Sequence, residues 1–220
     1  MTTQVAPNEG LNSELNSTEL GAFIAKNKAL VIGLILLIIG ATAGYGIFSY
    51  VKNQQNEKAA QTLYSFETGS LEKFKKGEID SAAMVSELKT ILGEFGDSSA
   101  AISTTLLAVD HLTNKGQNQE AFEIISLISA SNSLQSYFIN VRKAVIQQDL
   151  KDYDGAIATL KELKSNDRAL SMGRIELELG RSYLAKGDTA SAKGHFERVL
   201  TLTTENVYKS LAKYHLNTIK

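Results

Sequence analysis

The chain has 220 residues, 43% of them hydrophobic and 21% charged, with a formal net charge of −1. There is no cysteine, which excludes a disulfide framework, a thiolate metal site and lipid attachment to a Cys. Setting aside the two lysines and three acids of residues 1–28 leaves 21 basic and 21 acidic residues, a neutral balance without the basic excess that drives nucleic-acid binding.

Residues 1–28 form a polar tail rich in Asn, Ser, Thr and Glu, expected to be disordered to about Thr18. Ser17 or Thr18 is placed to cap a short helix running through Phe23 toward the next segment. Residues 29–51 then run without one charge, and twelve of them are Leu, Ile, Val or Phe. As a helix this stretch is roughly 34 Å long, enough to cross the hydrocarbon core of a bilayer. Lys26 and Lys28 flank one end; Tyr45, Tyr50 and Lys52 mark the other, where interfacial anchors belong. An uncleaved transmembrane helix is therefore expected. The two alternatives are a buried core helix, which rarely runs this long with no polar face, and a cleaved secretory signal, with Leu30 to Ile39 as its apolar core and Ala41-Thr42-Ala43 as the cut. Against the signal stand Glu9, Glu14 and Glu19 where a basic leader is required, and an apolar run that continues to Val51.

Lys26 and Lys28 are balanced by Lys52 and Lys58, so charge alone leaves the orientation open. Gly40 and Gly44 form a small-xxx-small pair that is a candidate helix–helix contact in the membrane.

Residues 52–100 are expected to be a helical linker and a first hairpin. Ala59, Leu63 and Phe66 make one apolar stripe before Gly69. Met84, Leu88, Ile91 and Phe95 make another after Asp80, a predicted N-cap, with Gly96 as the stop. Ile102, Leu106 and Val109 form the next stripe. No segment alternates with the period of a strand, so the expected class is all-α. Lys76-Gly77, Lys115-Gly116 and Lys186-Gly187 look like helix ends, glycine taking the left-handed conformation and lysine facing the negative end of the helix dipole.

Residues 101–220 repeat. Ala121, Ala156 and Ala192 align; four residues on stand Ile125, Leu160 and Phe196, and seven on stand Ile128, Leu163 and Val199. Five before stand Gly116, Lys151 and Gly187; nine before stand Leu112, Gln147 and Tyr183. A small residue where helices cross, a bulky one a turn later and a Gly between describe a helical hairpin that stacks on its neighbours. Glu205 to Lys220 is predicted to be a capping helix with Val207, Leu211 and Tyr214 inward.

Leu179-Gly180-Arg-Ser-Tyr183 with Gly187, Ala192, Phe196 and Val199 resembles a tetratricopeptide repeat. The two earlier repeats are degenerate: Val109 and Ala144 replace Gly180, and Thr105, Asn140 and Glu176 stand where that family carries its early Trp. The expected architecture is thus a single transmembrane helix followed by a helical-hairpin solenoid similar to tetratricopeptide repeats. The short acidic tail, Phe23 to Lys28, the single span, Ala59-Ala60, Tyr64, the Glu94-Phe95-Gly96-Asp97 break and the degenerate repeats also resemble the YfgM-like family, ancillary subunits of the bacterial SecYEG translocon. This resemblance implies a cytoplasmic tail, a periplasmic repeat domain in the inner membrane, and translocon subunits, periplasmic chaperones or exported polypeptides as partners.

The residues offer no chemistry. His111, His195 and His215 are scattered, without metal-ligand spacing, and no nucleophile motif or phosphate loop is present. The expectation is a protein-interaction module: no enzyme, no cofactor, no metal, and neither nucleic acid nor a small molecule as partner. By the family resemblance, the groove side of the first helices carries Leu106 and Asp110, Val141 and Val145, and Arg174, Leu177, Arg181 and Leu184. Spacing puts Arg174, Leu177 and Arg181 on one face, suited to an acidic-apolar peptide. The alternative is that Leu177 is core and the arginines pair with neighbours such as Glu178. A structural scaffold in another envelope complex is the competing function.

Overall fold

A computed structural model of the chain describes residues 18–165 and 170–219. The sequence expectations for residues 1–17, including a cap from Ser17, lie outside these. Among the described residues the regular structure is entirely helical. The chain divides between Gln54 and Gln55 into two compact units.

In the first unit, Thr18 caps helix α1 (Glu19–Lys26) by accepting a hydrogen bond from the Gly21 N–H at 3.1 Å. Helix α2 (Lys28–Phe66) follows. Its apolar stretch is long enough to cross a membrane, and none of it is buried. Leu30, Leu37 and Phe48 stand open on the helix surface. A Cβ built on Gly40 or Gly44 would meet nothing within 4 Å.

The second unit begins on the last turns of α2, where Ala59, Leu63 and Phe66 are buried. The stripe does not end at Gly69, as its sequence suggested. A π-helical turn (Glu67–Leu71) carries the chain through Gly69 into α3 (Glu72–Lys76), which closes on Gly77 with φ +78°. The reason is spacing. Phe66 and Leu71 are five residues apart, which in an α-helix sets them roughly 140° apart. The wider π-turn returns Leu71 to the buried side, and Phe74 follows it.

Helix α4 (Ser81–Phe95) starts where Asp80 accepts the Ala83 N–H at 2.8 Å. Its core side is Met84, Leu88, Leu92 and Phe95; Ile91 packs at the edge. Helices α5 (Ser99–Asn114) and α6 (Asn118–Ile125) form one hairpin, α7 (Ser133–Asp149) and α8 (Tyr153–Ser165) the next, and α9 (Met172–Lys186) and α10 (Thr189–Thr201) the third. Helix α11 (Asn206–Thr218) packs on α9 and α10.

All three aligned turns share one backbone device. Gly116, Lys151 and Gly187 have φ +73°, +63° and +92°. In each case the N–H of the next residue donates to the carbonyl five positions back: Gln117 to Leu112 at 2.9 Å, Asp152 to Gln147 at 2.8 Å, Asp188 to Tyr183 at 2.9 Å. This pairing satisfies carbonyls that the helix end would otherwise orphan.

Ala121, Ala156 and Ala192 are all fully buried, as are Ile125, Leu160 and Phe196 a turn later. The core runs along the stack as three clusters because the first helices face two ways. Ile139 and Ile146 of α7 close the core beneath α4–α6, while Tyr137, Val141 and Ala144 open the next one with Leu160, Ile175 and Leu179. Helix α9 repeats the arrangement, turning Leu177 into a third cluster with Ala192, Phe196, Val199 and Ala212.

Helix α11 docks by a different face from the one its sequence suggested. Val207, Leu211 and Tyr214 are 56%, 42% and 64% exposed. Ala212 is fully buried instead, with Tyr208, Leu216 and Ile219 half-buried around it. A small side chain at the contact lets two helix axes approach closely, which places the bulkier neighbours at the rim.

Candidate partner-binding surface

The first helices α5, α7 and α9 bring their solvent sides together around one open groove. Its volume is about 460 Å3, and its walls include Val109, Asp110 and Thr113 of α5, Phe138, Arg142, Val145 and Asp149 of α7, and Arg174 of α9. Asp110 and Arg142 cross it as a fork: Arg142 Nε donates to Oδ1 at 2.9 Å and Nη2 to Oδ2 at 3.1 Å. This bidentate geometry fixes both side chains while leaving them half-exposed. The apolar part of the wall is Phe138, set edge-on to Tyr137 with centroids 5.4 Å apart, and Val145.

Of the residues expected to line a groove, Asp110, Val145 and Arg174 meet here. Leu106 is half-buried against the first core. Val141 and Leu177 are each only 2% exposed and belong to the core, so neither reaches the groove. The cause is that α7 and α9 are sandwiched, with helices on both sides consuming most of each surface. Leu184 is half-buried against the third core. Arg181 does not join Arg174 as a pair for an acidic ligand. Its Nη1 donates to the Glu178 carboxylate at 3.1 and 3.3 Å. Glu178 in turn accepts from Gln148 Nε2 at 3.3 Å, so this arginine is already engaged within the fold. Phe138, Arg142 and Asp149 were missed in sequence, although 138, 142, 145 and 149 follow one helical stripe that a search for mixed apolar and charged faces would have found.

A second polar cluster lies between α8, α9 and α10, where sequence reasoning placed nothing. The Glu176 side chain is fully buried. Its Oε1 stands 2.7 Å from Lys164 Nζ and 2.9 Å from Arg198 Nε; its Oε2 stands 2.7 Å from His195 Nδ1. Burial alone would raise the carboxyl's pKa, but the hydrogen bonds from His195 and Lys164 outweigh it and hold the group below its ordinary value. At the position where the resemblance places an early Trp, the Glu176 carboxylate ties α9 to Lys164 of α8 and to His195 and Arg198 of α10. The detectable signal was a lone Glu between Ile175 and Leu177, both core.

Two of the three histidines are parts of packing. His195 stacks on Tyr183 with centroids 5.2 Å apart, and His215 on Phe196 at 4.8 Å. Among the described residues, no group of three or more His, Cys, Asp or Glu is placed to hold a metal ion.

A family model described as tetratricopeptide repeat-like domain matches residues 22–220. No curated protein and no solved structure matches the chain. Stacked hairpins, buried alanines at the crossings, a shared left-handed turn and a family match over most of the length lead to one conclusion: the chain belongs to the tetratricopeptide repeat-like domain family.

Proposed function

We propose that this protein is a membrane-tethered interaction module, an ancillary subunit of the Sec translocon that links exported polypeptides to periplasmic chaperones. The observation that carries the tether is α2, whose apolar stretch is long enough to span a bilayer and has none of its surface buried by the protein. Leaving such a surface in water costs about 25 cal/mol per Å2, so a lipid environment is the favourable one. The remainder is a fold built to present helical surfaces to other proteins, in which no covalent step is needed. The N-terminus lies in the cytoplasm and the repeats in the periplasm of a bacterial inner membrane; this orientation rests on the resemblance of the layout to YfgM-like proteins. Gly40 and Gly44 supply a close helix contact within the bilayer. Partners occupy the groove around Asp110, Phe138, Val145 and Arg174, where a polypeptide with one apolar and one acidic side chain finds both a ring and a guanidinium. Tethering raises the effective concentration, so modest affinity suffices.

The test is in vivo crosslinking followed by purification. Translocon subunits should be recovered, and recovery should fall when Phe138→Ala and Arg174→Glu are combined. Recovery of a different envelope complex, with no translocon subunit, would replace this reading by that of a structural scaffold. Digestion of intact spheroplasts should remove the repeat domain; its survival beside a digested periplasmic control would reverse the orientation.

A further inference from the structure

The groove between the first helices carries opposite charges at its two ends. Four charged side chains line it, and two of them, Asp110 and Arg142, neutralise each other in the bidentate fork. The other two are Arg174 and Asp149. Among the described residues, neither side chain has an ion-pair or hydrogen-bond partner. Each also stands where its own helix opposes it. Arg174 is the third residue of α9, at the positive end of that helix dipole; Asp149 is the last residue of α7, at the negative end of its own. Such placement gains nothing for the fold and leaves both charges to whatever fills the groove.

The repeat sets their separation. Arg174 follows Phe138, and Asp149 follows Asn114, by the same offsets that relate the aligned alanines, so each pair stands level on neighbouring first helices. Along α7, Phe138 and Asp149 are about 16 Å apart at 1.5 Å per residue. The cationic end is the apolar one, with Phe138 and, a turn earlier, Leu134 both exposed. Thr113 and Asn114 make the anionic end polar. We infer that the groove takes an extended polypeptide segment by its charge order: an acidic residue with an apolar neighbour at Arg174 and Phe138, and a basic residue about five positions away at Asp149. Five residues of extended chain, at 3.2–3.4 Å each, cover roughly the required distance. A helical ligand would need about eleven residues, and an isolated helix that short is marginal in water. The Asp149 end adds a requirement for a cation, so a segment carrying only acidic and apolar residues meets half of the site. This inference rests on the groove being the partner site.

The test uses the full-length protein in detergent at low salt. The probe is a peptide with blocked ends, a neutral fluorophore and the core Glu-Leu-Ser-Gly-Ser-Lys, read by anisotropy. Asp149→Lys should weaken this peptide about fivefold, and should tighten by a similar factor a second peptide whose Lys is replaced by Glu. Arg174→Glu should weaken the first peptide and tighten a third that carries Lys at both ends. Moving the two charges of the first peptide next to each other should weaken it for the unaltered protein. Because each variant is judged by a peptide it gains as well as one it loses, misfolding cannot imitate the result. An equal response of all peptides to Asp149→Lys, or no loss on moving the charges together, would overturn the charge order; if Phe138→Ala still weakens binding, the groove remains the partner site. Failure of every peptide to bind would overturn both. Loss of translocon crosslinks with peptide binding intact would overturn only the assignment to the translocon.

Discussion

Gly180 lies against the Phe196 ring. A Cβ at position 180 would stand 2.5 Å from Phe196 Cε1 and 2.7 Å from Cδ1, closer than any van der Waals contact permits. The two helices of the third hairpin cross at this point, and the ring fills the space that the missing side chain leaves. Val109 and Ala144 hold the same repeat position against smaller opposing residues, Ile125 and Leu160, so the Gly–Phe pair is specific to this hairpin.

Gly180→Ala is expected to destabilise the repeat domain. Overpacking costs about 1–3 kcal/mol, of which the better helix propensity of Ala returns roughly 0.5–1 kcal/mol. The contrast is Gly194→Ala in α10, where an added Cβ meets nothing within 4 Å, so the propensity gain stands alone and stability should rise. Denaturant midpoints followed by circular dichroism should move in opposite directions for the two variants.

Lys151 is the one described residue other than glycine with a positive φ, +63°, at a turn where both sister repeats use glycine. The left-handed conformation costs an L-residue about 1–2 kcal/mol, while glycine gives back part of that through its freer unfolded chain. Lys151→Gly is expected to stabilise by about 0.5–1 kcal/mol, and Gly187→Lys to destabilise by a similar amount. Thermal melts of both variants check this.

Glu176→Gln removes the charge that Lys164, Arg198 and the His195 ring surround. Breaking a buried ion pair costs about 3–5 kcal/mol; because Arg198 is 58% exposed and Lys164 30%, solvent lowers the expected loss to about 2–3 kcal/mol. The carboxyl is held below its ordinary value of 4.5 when folded, so its contribution is complete above that value and disappears as pH falls through the folded value. The difference between wild type and Glu176→Gln should therefore be full at pH 7 and shrink as pH falls below 4.5. His215 acts in the same direction at higher pH. Burial and the nearby Arg181 depress it below 6.5, so protonation on acidification favours the unfolded chain. His215→Phe keeps a ring on Phe196 and should flatten the decline in stability just below pH 6.5. Urea denaturation across pH resolves both effects.

Ile39→Arg places a charge near the middle of the apolar stretch, at about 2.5–3.5 kcal/mol on the insertion scale. Combined with Leu36→Arg, the cost of about 5–7 kcal/mol offsets the gain of about 3–6 kcal/mol from the ten apolar side chains that remain. The double variant should leave the membrane fraction on alkaline extraction, where the unaltered chain stays.

The sequence by itself determined what local chemistry decides. Twenty-three uncharged residues define an apolar helix whatever surrounds it. The cap at Asp80 and the left-handed ends at Gly77, Gly116 and Gly187 follow from backbone preferences of one or two residues. The buried alanines at 121, 156 and 192 follow from a repeat that each hairpin must satisfy in the same way. Tertiary structure decided which of several apolar faces is used. A helix flanked on both sides buries residues that a single-faced helix would expose, and so Val141 and Leu177 left the groove. Helix α11 chose Ala212 over the larger Val207, Leu211 and Tyr214, because close approach depends on the neighbour's shape and not on hydrophobicity alone. The Glu176 cluster is the clearest case: its partners come from positions 12 residues before and 19 and 22 after, and no local pattern encodes a meeting of three helices.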